Sequence, residues 1–180
     1  MSCISSMSRL YLALNFGLLV ISAACNKNTS SPTTDAPAAD PNAPVEISGN
    51  YGALMNPNLA STQLTFHGIK VGDPESAVLN LPNAHEEPNG DVYFEAWHGS
   101  YFLKGGYVSE INIAGPQLSK ALDLHHSGDI LAKFGRADNA DDQEVNGEGE
   151  YDYSSRHLRI TYGPPDAGSS TLWVSITLER

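Results

Sequence analysis

The chain has 180 residues, 41% of them hydrophobic, and its 21 acidic against ten basic residues give a formal charge of −11. That balance argues against nucleic-acid binding, where Lys and Arg neutralising phosphates supply most of the affinity. It also argues against a polybasic grip on anionic lipid, and suits either plain solubility or steering towards a basic partner. Cysteine occurs only at Cys3 and Cys25, so the part after Ser48 has no disulfide and no cysteine nucleophile and must be held by packing.

The first segment reads as an export signal. Arg9 precedes an apolar stretch from Leu10 to Ile21, and the small residues Ser22-Ala23-Ala24 follow, the order of a cleaved secretory leader. A spanning helix needs about 20 apolar residues, and this stretch falls short. Met7-Ser8-Arg9 would by itself make a compact cationic start, so translation can begin at Met1 or Met7. The position of Cys25 directly after the small residues resembles a bacterial lipoprotein signal, although Ser22 stands where that group usually has Leu. The resemblance implies removal of residues 1–24, lipid attachment at Cys25 and a chain held at the cell envelope. Asn26 rather than Asp after the cysteine points to the periplasmic face of the outer membrane.

Residues 25–48 are expected to be a disordered tether. Thr29 to Pro44 is almost wholly Ser, Thr, Pro, Ala, Asp and Asn, too poor in apolar bulk to offset the entropy of ordering. About 23 residues of such coil span roughly 25–30 Å.

From Gly49 the chain reads as one motif written twice, over 49–114 and 115–180. Val71, Ala77, Val78 and Leu81 match Leu124, Ile130, Leu131 and Phe134 without a gap, at spacings that fit the inner face of a short helix. Asp73 before Pro74, and Ser127 in the second copy, are expected to cap those helices. Alternating strands follow: Val92–Trp97, Tyr101–Leu103 and Tyr107–Ile113, then Glu150–Tyr153, His157–Tyr162 and Thr171–Leu178. Tyr107–Ile113 also matches Leu172–Leu178, with Ile111 on Ile176 and Ile113 on Leu178. The expected fold is α+β: two tandem helix-plus-antiparallel-meander repeats forming one curved sheet with helices on one side.

The Ile69-Lys70-Val71-Gly72 approach to the helix, the Leu81-Pro82 and Phe134-Gly135 turns, Tyr151-Asp152-Tyr153 and the closing Val174–Leu178 carry a resemblance covering Leu64 to Leu178. The chain resembles the superfamily of the small SmpA/BamE-type outer-membrane assembly lipoproteins and the tandem-repeat β-lactamase inhibitory protein. The tandem layout is closer to the inhibitor, whose disulfides have no counterpart here. The resemblance implies the fold and a protein-binding role, and brings no functional signature.

Few residues suggest catalysis. Gly-x-Ser-x-Gly, His-Glu-x-x-His and Gly-x-x-x-x-Gly-Lys are all missing from the sequence. His125-His126 is the most metal-like pair, but adjacent helical residues point about 100° apart, and a solvated helix start is expected. His85-Glu86-Glu87 reads as a polar loop. Asp138 to Glu150 is acidic enough to suggest calcium, but Ala140 breaks the alternation of oxygen ligands such a loop needs, and a mobile acidic loop is expected. No catalytic residue, metal or cofactor is assigned.

The strands point instead to a surface. With Leu172, Val174, Ile176 and Leu178 on one face, Trp173 falls on the other; with Val92, Phe94 and Ala96 buried, Tyr93, Glu95 and Trp97 are open. Val108, Glu110 and Asn112 on one strand, and His157, Arg159 and Thr161 on another, are expected to share that open side. Aromatic rings among polar groups are the composition of a protein interface. The partner-binding set is therefore Tyr93, Glu95, Trp97, Glu110, Asn112, His157, Arg159 and Trp173. The alternative is that the two Trp rings pack within the fold.

The function that follows is a non-enzymatic lipoprotein gripping another protein, an inhibitor or immunity-type protein against an envelope-targeting enzyme such as a basic secreted hydrolase or toxin. A structural accessory to outer-membrane assembly is the alternative, and a small-ligand binder or enzyme the next. The expected partners are thus a protein, and a membrane through the anchor, with no nucleic acid.

Overall fold

The computed structural model describes residue 40 and residues 42–94, 99–143 and 147–180, excepting the side chains of 93, 94, 142 and 143. The leader, Cys25, most of the tether, Glu95 and Trp97 therefore lie outside the described residues. The fold is α+β, built on one antiparallel sheet. In chain order come β1 (Val45–Glu46), β2 (Leu64–Thr65), α1 (Glu75–Leu79), β3 (His85–Glu86), β4 (Val92–Phe94), β5 (Gly99–Lys104) and β6 (Tyr107–Ala114). Then follow α2 (Pro116–Leu122), α3 (Ser127–Phe134), β7 (Asn139–Gln143), β8 (Glu148–Tyr153), β9 (Leu158–Gly163) and β10 (Trp173–Glu179).

The main sheet runs β3-β4-β5-β6-β10-β9-β8-β7, with every neighbour antiparallel. Six strands of five residues or more form its body, and β3 and β4 are short additions at one edge. Each half of the sheet is a meander of four strands preceded by a helix, α1 before β3–β6 and α3 before β7–β10. The halves meet where β6 lies against β10, pairing Ile113 with Ile176, Asn112 with Thr177 and Ile111 with Leu178. The β5–β6 hairpin turns on Gly105 and Gly106, both at positive φ, which such a two-residue turn demands and only glycine accepts freely.

The alternation of the strands decides where the core sits. Tyr101, Ile111, Ile113, Tyr151, Tyr153, Leu158, Ile160, Val174, Ile176 and Leu178 are all buried in one hydrophobic cluster. Val78 of α1, Leu118 and Leu122 of α2, and Ile130 and Phe134 of α3 join the same cluster. Side chains of a strand alternate between faces, so the helices cover the face that carries the cluster.

An N-terminal arm fills the remainder of that layer. β1 and β2 pair in parallel, Val45 with Leu64, and Ile47, Leu54, Leu64 and Phe66 are fully or almost fully buried. The expected tether to Ser48 is thus too long by a few residues, because Val45 to Ile47 already belong to the fold. The Glu46 carboxylate accepts hydrogen bonds from the Ser48, His67 and Gly68 amides and the Thr65 hydroxyl. Burial pushes its pKa up, but those bonds outweigh burial and hold it below the ordinary value. Arg156, in the turn between β8 and β9, clamps the arm from the other side. Its Nη2 donates to the Leu54 carbonyl at 2.6 Å and its Nε to the Leu59 carbonyl at 3.1 Å.

Several local expectations are corrected. Asp73 does not cap α1: its carboxylate accepts from the Lys70 amide at 3.0 Å, and Pro74 takes the cap position. Ser127 does not cap α3 either; Asp129 reaches back to the His125 and His126 amides at 2.8 and 3.1 Å. Leu131, matched above with the buried Val78, is exposed, and Ile130 is the residue turned inward. The loops expected at His85–Glu87 and within Asp138–Glu150 contain the two edge strands β3 and β7. An edge strand can be this polar because one side of it needs no partner, and charge there blocks pairing with a second chain.

Candidate partner-binding face

Away from the core cluster, the sheet presents a polar face. One register row crosses all eight strands: His85, Tyr93, Ser100, Asn112, Thr177, Arg159, Asp152 and Asn139. The row behind it, Ala114, Ser175, Thr161, Glu150 and Asp141, is small or acidic. At the middle of the face the Asn112 amide donates to the Ser175 and Thr177 hydroxyls at 2.8 and 3.1 Å. Those hydroxyls sit low, at 7% and 9% exposure, so three side chains tie β6 to β10 and form a fixed floor.

Trp173 stands above this floor at the start of β10 and is 37% exposed, on the side opposite Val174 as its spacing predicts. A hollow lies on either side of it. The larger, about 390 Å³, is lined by Asp141, Glu148, Glu150 and Thr161, with Gly149, Tyr162, Gly163 and Trp173 completing the wall. The smaller, about 220 Å³, is lined by Gly99, Ser100, Asn112, Ala114, Gly115, Pro116 and Trp173. Gly149 leaves room for Tyr162, its register partner on β9, whose hydroxyl would lie 2.4 Å from any Cβ there. Tyr162 in turn stacks on Tyr151 with ring centroids 5.3 Å apart.

The remaining expected residues divide. Asn112, Arg159 and Glu110 are half-buried on the sheet. Arg159 pairs with the Glu179 carboxylate, and Glu110 lies beside Glu179 in the ladder. Tyr93 pairs in register with Ser100, and its side chain lies outside the described residues, as do Glu95 and Trp97 altogether. His157 is exposed but precedes β9, at φ 53 in a left-handed turn, so it does not continue the face of Arg159. Val108 is buried, not open. A bulge opposite Phe102 and Leu103 shifts the register by one residue and flips the start of β6, as one extra residue must.

The acidic hollow is not evident from the sequence, where Asp141 and Glu148 read as loop residues and Glu150 as the start of the strand Glu150–Tyr153. Their spacing does carry a signal, since Glu148 and Glu150 are two apart and fall on the same side of a strand as Asp152.

The His125-His126 pair lies elsewhere, at the corner between α2 and α3. The His125 ring spans two acceptors, with Nδ1 2.8 Å from the Ser170 carbonyl and Nε2 2.9 Å from the Asp123 carboxylate. Both ring nitrogens must carry protons to serve both acceptors, so the Ser170 bond and the Asp123 bond raise its pKa. Lys133 donates to the Leu122 and Asp123 carbonyls, and the His125 bond and Lys133 together lower the pKa of Asp123. Among the described residues, no group of three or more His, Cys, Asp or Glu is placed to hold a metal ion. No described helix is long and apolar enough to cross a membrane.

No family model matches the chain, and no curated protein and no solved structure matches it.

Proposed function

We propose that this is a non-enzymatic, lipid-anchored envelope protein that grips another protein through the polar face of its sheet, as an inhibitor or immunity-type protein against an enzyme aimed at the envelope. The observation that carries the reading is Trp173: a large ring left exposed over a floor of bonded Asn112, Ser175 and Thr177, with a hollow on each side. Exposed aromatics beside fixed polar groups are where interfaces concentrate their energy. Anchoring at Cys25 rests on the sequence of the leader.

We read the folded part as a tandem duplication. Shifting β6 by 65 residues lays Ile111 on Ile176 and Ile113 on Leu178, and the β6–β10 register pairs these same four residues crosswise about Asn112 and Thr177. Two copies related by a two-fold axis would pair in this way. Duplication gives a face broad enough to cover the active-site cleft of an enzyme.

The test uses the full chain to capture partners from envelope extract. We expect a protein retained by the native chain and lost with Trp173→Ala, while Lys120→Ala on the exposed side of α2 keeps it. Capture that survives Trp173→Ala refutes the face. A deletion strain with leaky envelopes and depleted barrel proteins would favour the assembly role over immunity.

A further inference from the structure

The two hollows beside Trp173 differ in charge, and that difference specifies a partner. Among the described residues, the larger is edged by Asp141, Glu148 and Glu150 with no basic residue in its lining, and the smaller has no charged residue in its lining. Gly163 opens the passage between Glu148 and Trp173. A Cβ on it would lie 3.7 Å from Glu148 Cγ and 3.9 Å from Trp173 Cε3, so the glutamate stem and the indole flank one bare stretch of backbone.

The three carboxylates do not converge as a metal site among the described residues. Their charge is spread along a wall beside an aromatic ring, which suits a flat, extended cation rather than a point ion. A guanidinium stacks on an indole and offers its donors in a planar fork. The chain's net charge of −11 would also draw a basic partner at long range.

We infer that the partner places an arginine side chain over Trp173 into the hollow edged by Glu148, Glu150 and Asp141, with an uncharged part of the same segment in the neighbouring hollow. This rests on the reading of the sheet face as the binding surface.

The test is a nuclear magnetic resonance titration of the full chain with acetyl-Gly-Ser-Arg-Ser-Gly-amide. A second peptide carries citrulline, the neutral isostere, in place of arginine. The arginine peptide should shift the Trp173 indole N–H and the amides of Glu148, Glu150 and Thr161. Citrulline should bind about tenfold more weakly, a difference of about 1.4 kcal/mol, and Glu148→Gln with Glu150→Gln should remove the distinction. Equal binding of the two peptides, shifts confined to other surfaces, or no shift at about 10 mM peptide, beyond the weak end of useful affinity, would overturn the inference. Partner capture separates this from the parent reading. If capture needs Trp173 but tolerates Glu148→Gln with Glu150→Gln, the face stands and the arginine inference fails. If capture tolerates Trp173→Ala as well, both fail.

Discussion

Arg156→Ala tests how the N-terminal arm is held. The guanidinium is buried at 6% exposure, donates to the Leu54 and Leu59 carbonyls, and leaves Nη1 without a partner. Burial lowers its pKa, so a good part of what the two bonds return is spent on desolvating the charge. Truncation is different, because it orphans the buried Leu54 carbonyl and the part-buried Leu59 carbonyl, at about 1–3 kcal/mol for a fully buried group, and removes the packing of the stem. We expect a total loss of about 3–5 kcal/mol, the range found when a buried charged contact is broken on one side. Arg156→Lys should cost about 1–2 kcal/mol, since one ammonium reaches one carbonyl and not both. Urea unfolding gives the magnitude, and hydrogen exchange gives the place: amides between Ala53 and Leu64 should lose protection before those of β9 and β10. A loss below about 1 kcal/mol, or protection lost evenly over the sheet, would refute the clamp.

Three further outcomes follow from the packing. Trp173→Ala should move stability by no more than about 0.5–1 kcal/mol, as for surface positions generally; a loss of about 3–5 kcal/mol would put the ring in the core. Gly149→Ala forces a methyl against the Tyr162 hydroxyl and the Asp141 carbonyl at 2.4 and 2.7 Å and should cost about 1–3 kcal/mol in thermal unfolding. His125 should titrate above the ordinary value of about 6.5, its charged form favoured by the Ser170 carbonyl and Asp123. Its contribution is therefore complete below the unfolded pKa and lost as pH rises through the folded one. Asp123→Asn should lower the midpoint seen by nuclear magnetic resonance, and an unchanged midpoint would count against the bridge.

The strands with the clearest alternation were the most legible. Val174, Ile176 and Leu178 on one face and Trp173 on the other follow from period two alone. The failures have physical causes. Val108 was misplaced because a bulge is set by the partner strand and leaves no mark in the local pattern. Leu131 was misplaced because a short helix beginning at Ser127 fixes its phase by tertiary contact, and one residue of slip is a rotation of 100°. β7 was hidden because Asn139–Gln143 has no apolar alternation; its one non-polar residue, Ala140, pairs with Tyr151. The acidic hollow went unseen with it, since a hollow needs two strands placed side by side before its edge exists. The arm was missed for a related reason: Arg156 meets Leu54 and Leu59 about a hundred positions away.

The Ser61 hydroxyl donates to the Glu179 carbonyl, only three residues before Leu64 receives Val45. The incoming chain therefore joins the fold near the finish of β10, whereas Trp173 marks its beginning. Seven residues of strand separate the two by about 20 Å. The folded part thus receives its own N-terminal strand towards one end of β10 and carries the exposed indole at the other. A substitution at Ser61 and one at Trp173 are therefore far enough apart to act independently on stability.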